Sequence, residues 1–168
     1  MDWTVEHRIE APLHAVEASV LATTTLEAIV ARQSIVGRVH VVALTSGPGW
    51  QERVADYEPN VPDRLLPRIV QRDWIGWREV VRWDTHAHEG TIHIRPRLPE
   101  RFQDRFVFQA RYCLVGDGDE TTRRVHGKLV IRAPVVGSAI EGWVSERLQA
   151  SFDQEAQVVQ DQALLLHL

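Results

Sequence analysis

The sequence feature that most constrains the fold is a change of hydrophobic period near the C-terminus. After Pro134 and Gly137, apolar residues recur at the 3.6-residue spacing of an α-helix over roughly eight turns. The apolar stripe consists of Ile140, Trp143, Val144, Leu148, Phe152, Ala156, Val159, Ala163 and Leu166. The polar side consists of Arg147, Gln149, Asp153, Gln154, Gln157 and Asp161. A helix of about 28 residues is long for a small protein, so it must lie against something of similar length.

Alternating strands supply the only surface of that length. Residues 2–10 alternate with the two-residue period of a half-buried strand, with Trp3, Val5, His7 and Ile9 on one side. Three hairpins follow, with strands predicted at residues 34–45, 50–57, 78–86, 91–97, 106–115 and 122–133. Their turns are predicted at residues 46–49, 88–90 and 116–119. The long helix is therefore expected to pack across an antiparallel sheet.

Short helices are predicted between the first strand and the hairpins, and again after the first hairpin. Pro12 suits the first turn of one helix, because its missing N–H costs nothing there. A second helix is expected to open at Thr24–Glu27, which has the capping-box spacing. The same spacing at Ser138–Glu141 begins the long helix and gives its glutamate a capping role. A further short helix is expected within residues 65–74.

Length and composition restrict the class of protein. The chain has 168 residues, 44% hydrophobic and 25% charged, which is typical of one globular domain spanning residues 1–168. No apolar run reaches the length of a membrane helix and no secretory signal is visible, so a cytoplasmic location is expected. The single cysteine, Cys113, argues against an internal disulfide and a cysteine-based zinc site. A net charge of −4 gives no electrostatic basis for binding nucleic acid.

Two segments carry a resemblance to a known superfamily. The opening strand leads into Ala11-Pro12-Leu13, and the last strand leads into the long helix through residues 127–141, GKLVIRAPVVGSAIE. With its order of strand, two short helices, six strands and one long helix, the chain resembles the START-like (SRPBCC) helix-grip superfamily. That superfamily includes the birch-pollen-allergen type and the polyketide cyclase and dehydratase type. The closing segment is also similar to an uncharacterised bacterial branch in which no chemistry is assigned.

The resemblance implies an α+β fold in which a curved, seven-stranded antiparallel sheet grips the C-terminal helix, with an apolar cavity between them. Members use this cavity for lipids, sterols, polyketides and other hydrophobic molecules. We therefore expect non-covalent binding of a small hydrophobic ligand, with no cofactor. Two alternatives stay open: a cyclase- or dehydratase-type enzyme using the same cavity, and a protein-interaction module with a filled core. The superfamily has no shared catalytic motif, so neither a catalytic residue nor an oligomeric state is assigned.

Large side chains interrupted by small ones are what a strand lining a cavity needs, although an ordinary packed core uses them too. The candidate ligand-binding residues on the last two strands are Phe106, Phe108, Tyr112, Gly127, Leu129 and Ile131. Trp143, Leu148 and Phe152 would close the same space from the helix. Arg111 and His126 alternate with the apolar set, so they are expected to face solvent. A bulge that shifts the register would instead turn them inward.

A histidine-rich segment is the most chemically suggestive part of the chain. Its histidines are His86, His88 and His93, around a predicted hairpin turn that also holds Glu89. In a strand, His86 and His88 would project from the same face, and His93 could return to them across the hairpin. Three imidazoles and a carboxylate would suit zinc or another borderline metal. A hairpin tip is exposed, which favours solvated histidines, so no metal site is assigned.

Two tryptophans follow a proline-rich stretch. Within residues 74–77, they could form a lid over the cavity, a hydrophobic contact for a membrane or a partner, or a plug buried under the loop. Entry of a ligand would require movement of residues 58–77 or of the front of the long helix.

Overall fold

Seven β-strands form one antiparallel sheet in the computed structural model, which describes residues 1–33, 36–60, 74–103, 105–132 and 137–167. The strands are β1 (Asp2–Ile9), β2 (Val36–Gly47), β3 (Trp50–Pro59), β4 (Trp77–Asp84), β5 (Glu89–Pro96), β6 (Phe106–Asp117) and β7 (Glu120–Ile131). Their spatial order is β1-β7-β6-β5-β4-β3-β2. The helices are α1 (Leu13–Leu21), α2 (Thr23–Arg32), α3 (Glu100–Gln103) and α4 (Gly137–His167). The predicted helix-grip architecture, with its curved sheet and long C-terminal helix, is confirmed.

The two-residue period of the strands directs every second side chain to one face of the sheet, which we call the inner face. Val5 of β1 pairs with Val125 of β7, and Val125 pairs with Tyr112 of β6. All three side chains are buried. Arg111 and His126, which alternate with this set, are exposed on the outer face, so the prediction for these two residues is confirmed.

The long helix α4 packs mainly on β1, β7, α1 and α2. The Ser19 hydroxyl of α1 donates to the carbonyl oxygen of Val159 at 3.1 Å, and Arg32 of α2 pairs with Asp161 at 2.9 Å. The buried members of the predicted stripe include Phe152, Ala156, Val159 and Ala163. Leu166, predicted to belong to the same stripe, is instead 59% exposed, because α4 continues beyond its packed stretch.

A buried arginine on β7 joins the sheet to α4. Arg123 is 0% exposed. Its guanidinium donates to Oε1 of Glu155 at 2.5 Å and to the carbonyl oxygen of Phe152 at 3.3 Å, both on α4. It also donates to the Tyr112 hydroxyl on β6 and lies 4.7 Å from the centroid of that ring. Burial opposes the charge of Arg123, but Glu155 and Tyr112 outweigh this effect and raise its pKa above the ordinary value.

His7 of β1 extends this contact to the surface. Its Nδ1 lies 3.1 Å from the guanidinium of Arg123, and its Nε2 lies 2.8 Å from Oδ1 of Asp153 on α4. Because a guanidinium can only donate, Nδ1 must accept and Nε2 must carry the proton. Hydrogen bonds from His7 and Gln149 lower the pKa of Asp153, so its carboxylate stays ionised beside the imidazole. β1, β7 and α4 are thus joined through one chain of hydrogen bonds.

The predicted N-cap of α2, Thr24, is wrong by two residues. The helix begins at Thr23, and its N-cap is Ala22, whose methyl side chain cannot accept a hydrogen bond. Ala22 alone separates α1 from α2, which leaves Thr24 inside the helix rather than at its cap.

Two predictions about helices fall outside the described part of the chain. They are the helix expected within residues 65–74, of which only residue 74 is described, and the capping role of Glu141, whose side chain is not described. Within the described ranges, no single helix is long and apolar enough to cross a membrane, although α1 and α2, bent by 76°, pass that test as a pair.

The hairpin between β4 and β5 turns earlier than predicted. The turn comprises residues 85–88, and β5 already begins at Glu89. Asp84 stabilises this turn, since its Oδ1 accepts the main-chain N–H of His86 at 2.8 Å and of Ala87 at 3.0 Å. His88 ends the turn with a φ angle of 54°. The expectation that His86 and His88 project from one face of a strand is therefore wrong.

Replacing Arg123 tests whether its contacts hold α4 on the sheet. We expect Arg123→Met to lower the free energy of unfolding by about 3 kcal/mol or more, because the Glu155 carboxylate loses its buried partner. Urea unfolding followed by tryptophan fluorescence measures the change. Arg124→Met is the matched control, since Arg124 is the next residue on β7 and pairs with Glu6 at the surface. It should change stability by less than about 1 kcal/mol, and equal losses in both variants would contradict the assignment.

Candidate functional site

The predicted ligand-binding residues lie on β6, on β7 and on α4. Phe108, Tyr112, Gly127, Leu129 and Phe152 are buried. Phe106, Ile131 and Leu148 are partly buried and pack against the main apolar cluster. The side chain of Trp143 lies outside the described part of the chain. That these residues bind a ligand stays a prediction.

Two tryptophans fill the space that facing glycines leave open. The indole of Trp3 on β1 lies over Gly127 on β7, where a Cβ atom would collide with the ring. Its centroid is 5.0 Å from that of Phe152. In the same way, Trp83 on β4 covers Gly90 on β5. Gly127 therefore makes room for an indole, and a bulky residue there would displace Trp3 before it could block a ligand.

The middle of the inner face is only partly covered. Ile92 and Ile94 of β5 and Phe106 of β6 pack against the core but keep part of their surface exposed. We call these three side chains the apolar wall. Beside them opens a groove of about 210 Å³, lined by Ile94, Arg95, Pro96, Gln103 and Phe106. The apolar wall offers surface that a small hydrophobic molecule could bury.

Three polar side chains from β3 and β4 meet at the edge of the apolar wall, and we call them the Glu79 cluster. The Tyr57 hydroxyl donates to Oε1 of Glu79 at 3.1 Å, and Nη2 of Arg53 lies 3.4 Å from the same oxygen. The side chains of Arg53 and Glu79 are only 13% and 15% exposed. Ile94 pairs with Glu79 across β4 and β5, so the cluster and the apolar wall are neighbours.

The surroundings of Glu79 shift its protonation. Burial raises the pKa of its carboxyl, while Arg53 and the Tyr57 hydroxyl oppose this shift. Burial also raises the pKa of Tyr57 well above its ordinary value. The negative charge of Glu155 raises the pKa of both groups further, so α4 places a second carboxylate near the cluster. Glu79 therefore takes up a proton more readily than an ordinary glutamate.

Arg53 is the least satisfied member of the Glu79 cluster. Its Nε is buried and, within the described part of the chain, has no hydrogen-bond partner. A buried donor without an acceptor costs free energy, and an arginine has five N–H donors to place. The cluster can thus offer a cationic donor, a titratable carboxyl and a phenol to the polar group of a bound molecule. These are the groups that orientation of a ligand, or proton transfer to it, requires.

Sequence reasoning missed the charged residues of the interior, which are Arg53, Glu79, Arg123 and Glu155. A signal for two of them was present. Arg123 lies two residues before Val125 on β7, and therefore on the same face of the strand. Glu155 follows Phe152 by three residues, which places it beside the apolar stripe of α4. In both cases the sequence signal was a charged residue at a position that the strand period or the helix period places on the buried face.

The three histidines of the β4–β5 hairpin do not converge. Nδ1 of His88 lies 2.9 Å from Oε1 of Glu17 on α1, and the indole N–H of Trp83 donates to the same oxygen at 2.7 Å. His86 lies against the turn between β2 and β3, whereas His93 is exposed on the outer face. Among the described residues, no group of three His, Cys, Asp or Glu side chains could hold a metal ion.

The tryptophans of residues 74–77 pack against other aromatic rings. Trp77 stacks on Tyr57 with centroids 5.2 Å apart, and Trp74 lies 6.5 Å from Phe102. This packing agrees with the buried-plug alternative for Trp77. Most of the preceding segment lies outside the described residues, so its role as a lid stays a hypothesis.

Comparisons with known proteins identify the family and the fold. Residues 4–162 match the model of a family described as "Protein of unknown function (DUF2505)". No curated protein matches the chain at a significant level. Many solved structures share the fold, among them TTHA0849 from Thermus thermophilus. That match has a TM-score of 0.69 and 14% identity, and covers 99% of each chain.

Two similar structures are of named enzymes. The Zhui aromatase/cyclase from Streptomyces sp. R1128 has a TM-score of 0.62 and 14% identity, over 97% of this chain and 94% of that one. Norcoclaurine synthase from Thalictrum flavum, solved with dopamine and hydroxybenzaldehyde, has a TM-score of 0.60 and 11% identity. That match covers 96% of this chain and 87% of the synthase. At these identities the likeness shows the helix-grip fold alone.

The environment of Glu79 predicts a pH-dependent cost to stability. Well below the ordinary glutamate pKa, the carboxyl is protonated in both folded and unfolded chains, so it imposes no cost. As the pH rises, the unfolded chain ionises first, and the folded state loses stability until the pH passes the raised pKa. Glu79→Gln should therefore become more stable relative to the wild type as the pH rises above the ordinary glutamate pKa, as measured by urea unfolding at each pH.

Asp56→Asn provides a control of opposite sign on the neighbouring strand. Arg78 donates two hydrogen bonds to Asp56, which lower the pKa of that carboxyl against the effect of burial. The stabilisation from an ionised Asp56 is present above the ordinary aspartate pKa and is lost as the pH falls through the lowered value. Asp56→Asn should thus lose stability relative to the wild type as the pH rises. The same pH trend in both variants would contradict the environment assigned to Glu79.

Proposed function

Since the chain belongs to the DUF2505 family, whose function is unknown, we propose from the site itself that it binds a small hydrophobic molecule without a covalent bond. The ligand is lipid- or polyketide-like and lies between the inner face of the sheet and α4. The observation that carries this proposal is the partly exposed apolar wall with the Glu79 cluster at its edge. An interior that combines open apolar surface with an unsatisfied polar group is suited to an amphiphilic guest.

Apolar burial would supply most of the affinity. Each Å² of apolar surface removed from water contributes about 25 cal/mol. Phe106, Ile131 and Leu148 are best placed to contribute, because they still have exposed surface to bury. Leu129 and Phe152 lie deeper and would be reached only if the core opened. The Glu79 cluster would fix the orientation of the ligand.

The structural comparisons support this proposal by analogy only. An aromatase/cyclase has the same fold, and so does a norcoclaurine synthase solved with two small ring compounds. Both names imply small organic molecules held by a helix-grip domain. Because one fold hosts many functions, the residues of this chain must decide which molecule it takes.

The second candidate is an enzyme of the cyclase or dehydratase type. The observation that favours it is Glu79, a buried carboxyl with a raised pKa within hydrogen-bonding distance of the Tyr57 hydroxyl. Such a carboxyl can give a proton to a leaving hydroxyl or take one from carbon next to a carbonyl.

Organic extraction of freshly purified protein distinguishes the binder from the enzyme. A binder returns the extracted molecule unchanged on incubation, whereas a dehydratase returns it with one water lost.

A neutral fluorescent probe tests the binding proposal directly. N-phenyl-1-naphthylamine should bind saturably and with increased fluorescence, because its rings can cover the apolar wall. Ile94→Trp should weaken this binding about tenfold or more by filling the space beside Phe106 and Glu79. His93→Trp is the matched control, since His93 precedes Ile94 on β5 but faces the other side of the sheet. Equal probe binding by the two variants would place the probe elsewhere and contradict the proposal.

A further inference from the structure

We propose that the ligand is an apolar organic anion, that Arg53 receives its charged group, and that Glu79 takes up a proton from solvent as the anion binds. This inference rests on the proposed function, because the anionic group would be the polar end of the hydrophobic ligand. The chemical class is a hydrophobic acid, with its rings or chain on the apolar wall and its charge at the Glu79 cluster.

Two arginines of the described interior, Arg53 and Arg123, differ in how many of their donors have acceptors. Arg123 donates to side chains on three elements and to a main-chain carbonyl, so its N–H groups already have acceptors. Arg53 has one long contact, 3.4 Å to Glu79, and a buried Nε without a partner among the described residues. An anionic oxygen beside Arg53 would give the bare Nε an acceptor and form a charge-assisted hydrogen bond. Arg123 is therefore structural, whereas Arg53 is available.

An anion bound beside Arg53 would lie close to the Glu79 carboxylate. Arg53 and Tyr57 of β3 approach its carboxyl, and the negative charge of Glu155 reaches it from α4. Arg123 pairs with Glu155 rather than with Glu79. On its other side, within the described part of the chain, the apolar Ile94 of β5 lies opposite Glu79. A second anion here would compete for Arg53 and repel the carboxylate.

Protonation of Glu79 removes this conflict. The neutral carboxyl no longer repels the ligand, and its new O–H becomes a donor that can reach the anion or a neighbouring oxygen. Burial already favours the protonated form of Glu79 by raising its pKa, and a bound anion would shift the carboxyl further in the same direction. Charge is conserved in the cluster: one negative charge enters with the ligand, and one is neutralised by a proton from solvent.

The register of the sheet sets where the rest of the ligand lies. Ile94 pairs with Glu79 on one side and with Phe108 on the other. A molecule whose charged end contacts Arg53 would therefore extend its apolar body over Ile94 towards β6. Phe106 lies next along β6 on the same face and flanks this path. The arrangement selects a molecule with charge at one end and no further charge along its body.

Two probes that differ by a single charged group test the inference. 8-Anilinonaphthalene-1-sulfonate has the ring system of N-phenyl-1-naphthylamine with one added sulfonate. We expect the wild-type protein to bind the sulfonate about tenfold or more tightly than the neutral probe. Arg53→Gln should abolish this preference, so that the two probes bind with similar affinity. Arg82→Gln is the matched control, because Arg82 lies at the same level of the sheet on the exposed outer face, and it should keep the preference.

Proton uptake is measured separately by calorimetry. Titrations of the sulfonate at pH 7 in phosphate and in Tris, whose ionisation enthalpies differ, report the number of protons exchanged. The sulfonate stays ionised, so any proton taken up enters the protein. We expect uptake approaching one proton per probe in the wild type, and none in Glu79→Gln. No uptake in the wild type would overturn the role of Glu79.

The outcomes separate this inference from the proposed function. Saturable binding of the neutral probe without preference for the sulfonate overturns the inference and leaves the proposed function standing. A preference that survives Arg53→Gln places the charge elsewhere and also overturns it. Binding of neither probe overturns both. Loss of the preference in Arg53→Gln, together with proton uptake that depends on Glu79, supports it.

Discussion

The buried guanidinium of Arg123 is the contact on which the position of α4 depends. It binds the long helix through Glu155 and a main-chain carbonyl, and it binds the sheet through Tyr112 and His7. Burying a charge costs free energy unless its donors find acceptors, and at Arg123 acceptors from the sheet and from α4 meet at one point. The geometry of that meeting fixes both the rotation of α4 about its axis and its height over the sheet.

This fixed contact divides the inner face into two regions. Near β1 and β7, α4 packs closely and the arginine is saturated with partners. Nearer β3 and β4, Arg53 and Glu79 form a looser cluster beside apolar side chains that are still partly exposed. The first region stabilises the packing of α4 on the sheet. Under the proposed function, the second region would exchange contacts with a ligand, so the two arginines would serve architecture and recognition respectively.

Sequence periodicity predicted the strands and helices well. It did not predict which charged residues lie in the interior. The switch of period at Gly137 predicted α4, since that pattern depends only on neighbours along the chain. The β4–β5 turn was misplaced because Asp84 caps it, a local hydrogen bond that alternation alone does not reveal. Arg123 and Glu79 were missed because a charged side chain ordinarily marks the solvent face. Only partners distant in sequence show that these two charges are satisfied inside.

The pairing of tryptophan with glycine across neighbouring strands has a consequence for how this interior can change. Trp3 occupies the volume above Gly127, and Trp83 occupies the volume above Gly90. In each pair a large side chain on one strand compensates for a missing one on the next, while the backbone keeps its regular spacing. Exchanging an indole for a small residue would open a space of side-chain size without moving a strand. The volume of the interior is therefore set by a few replaceable side chains, and it can change while the strands keep their positions.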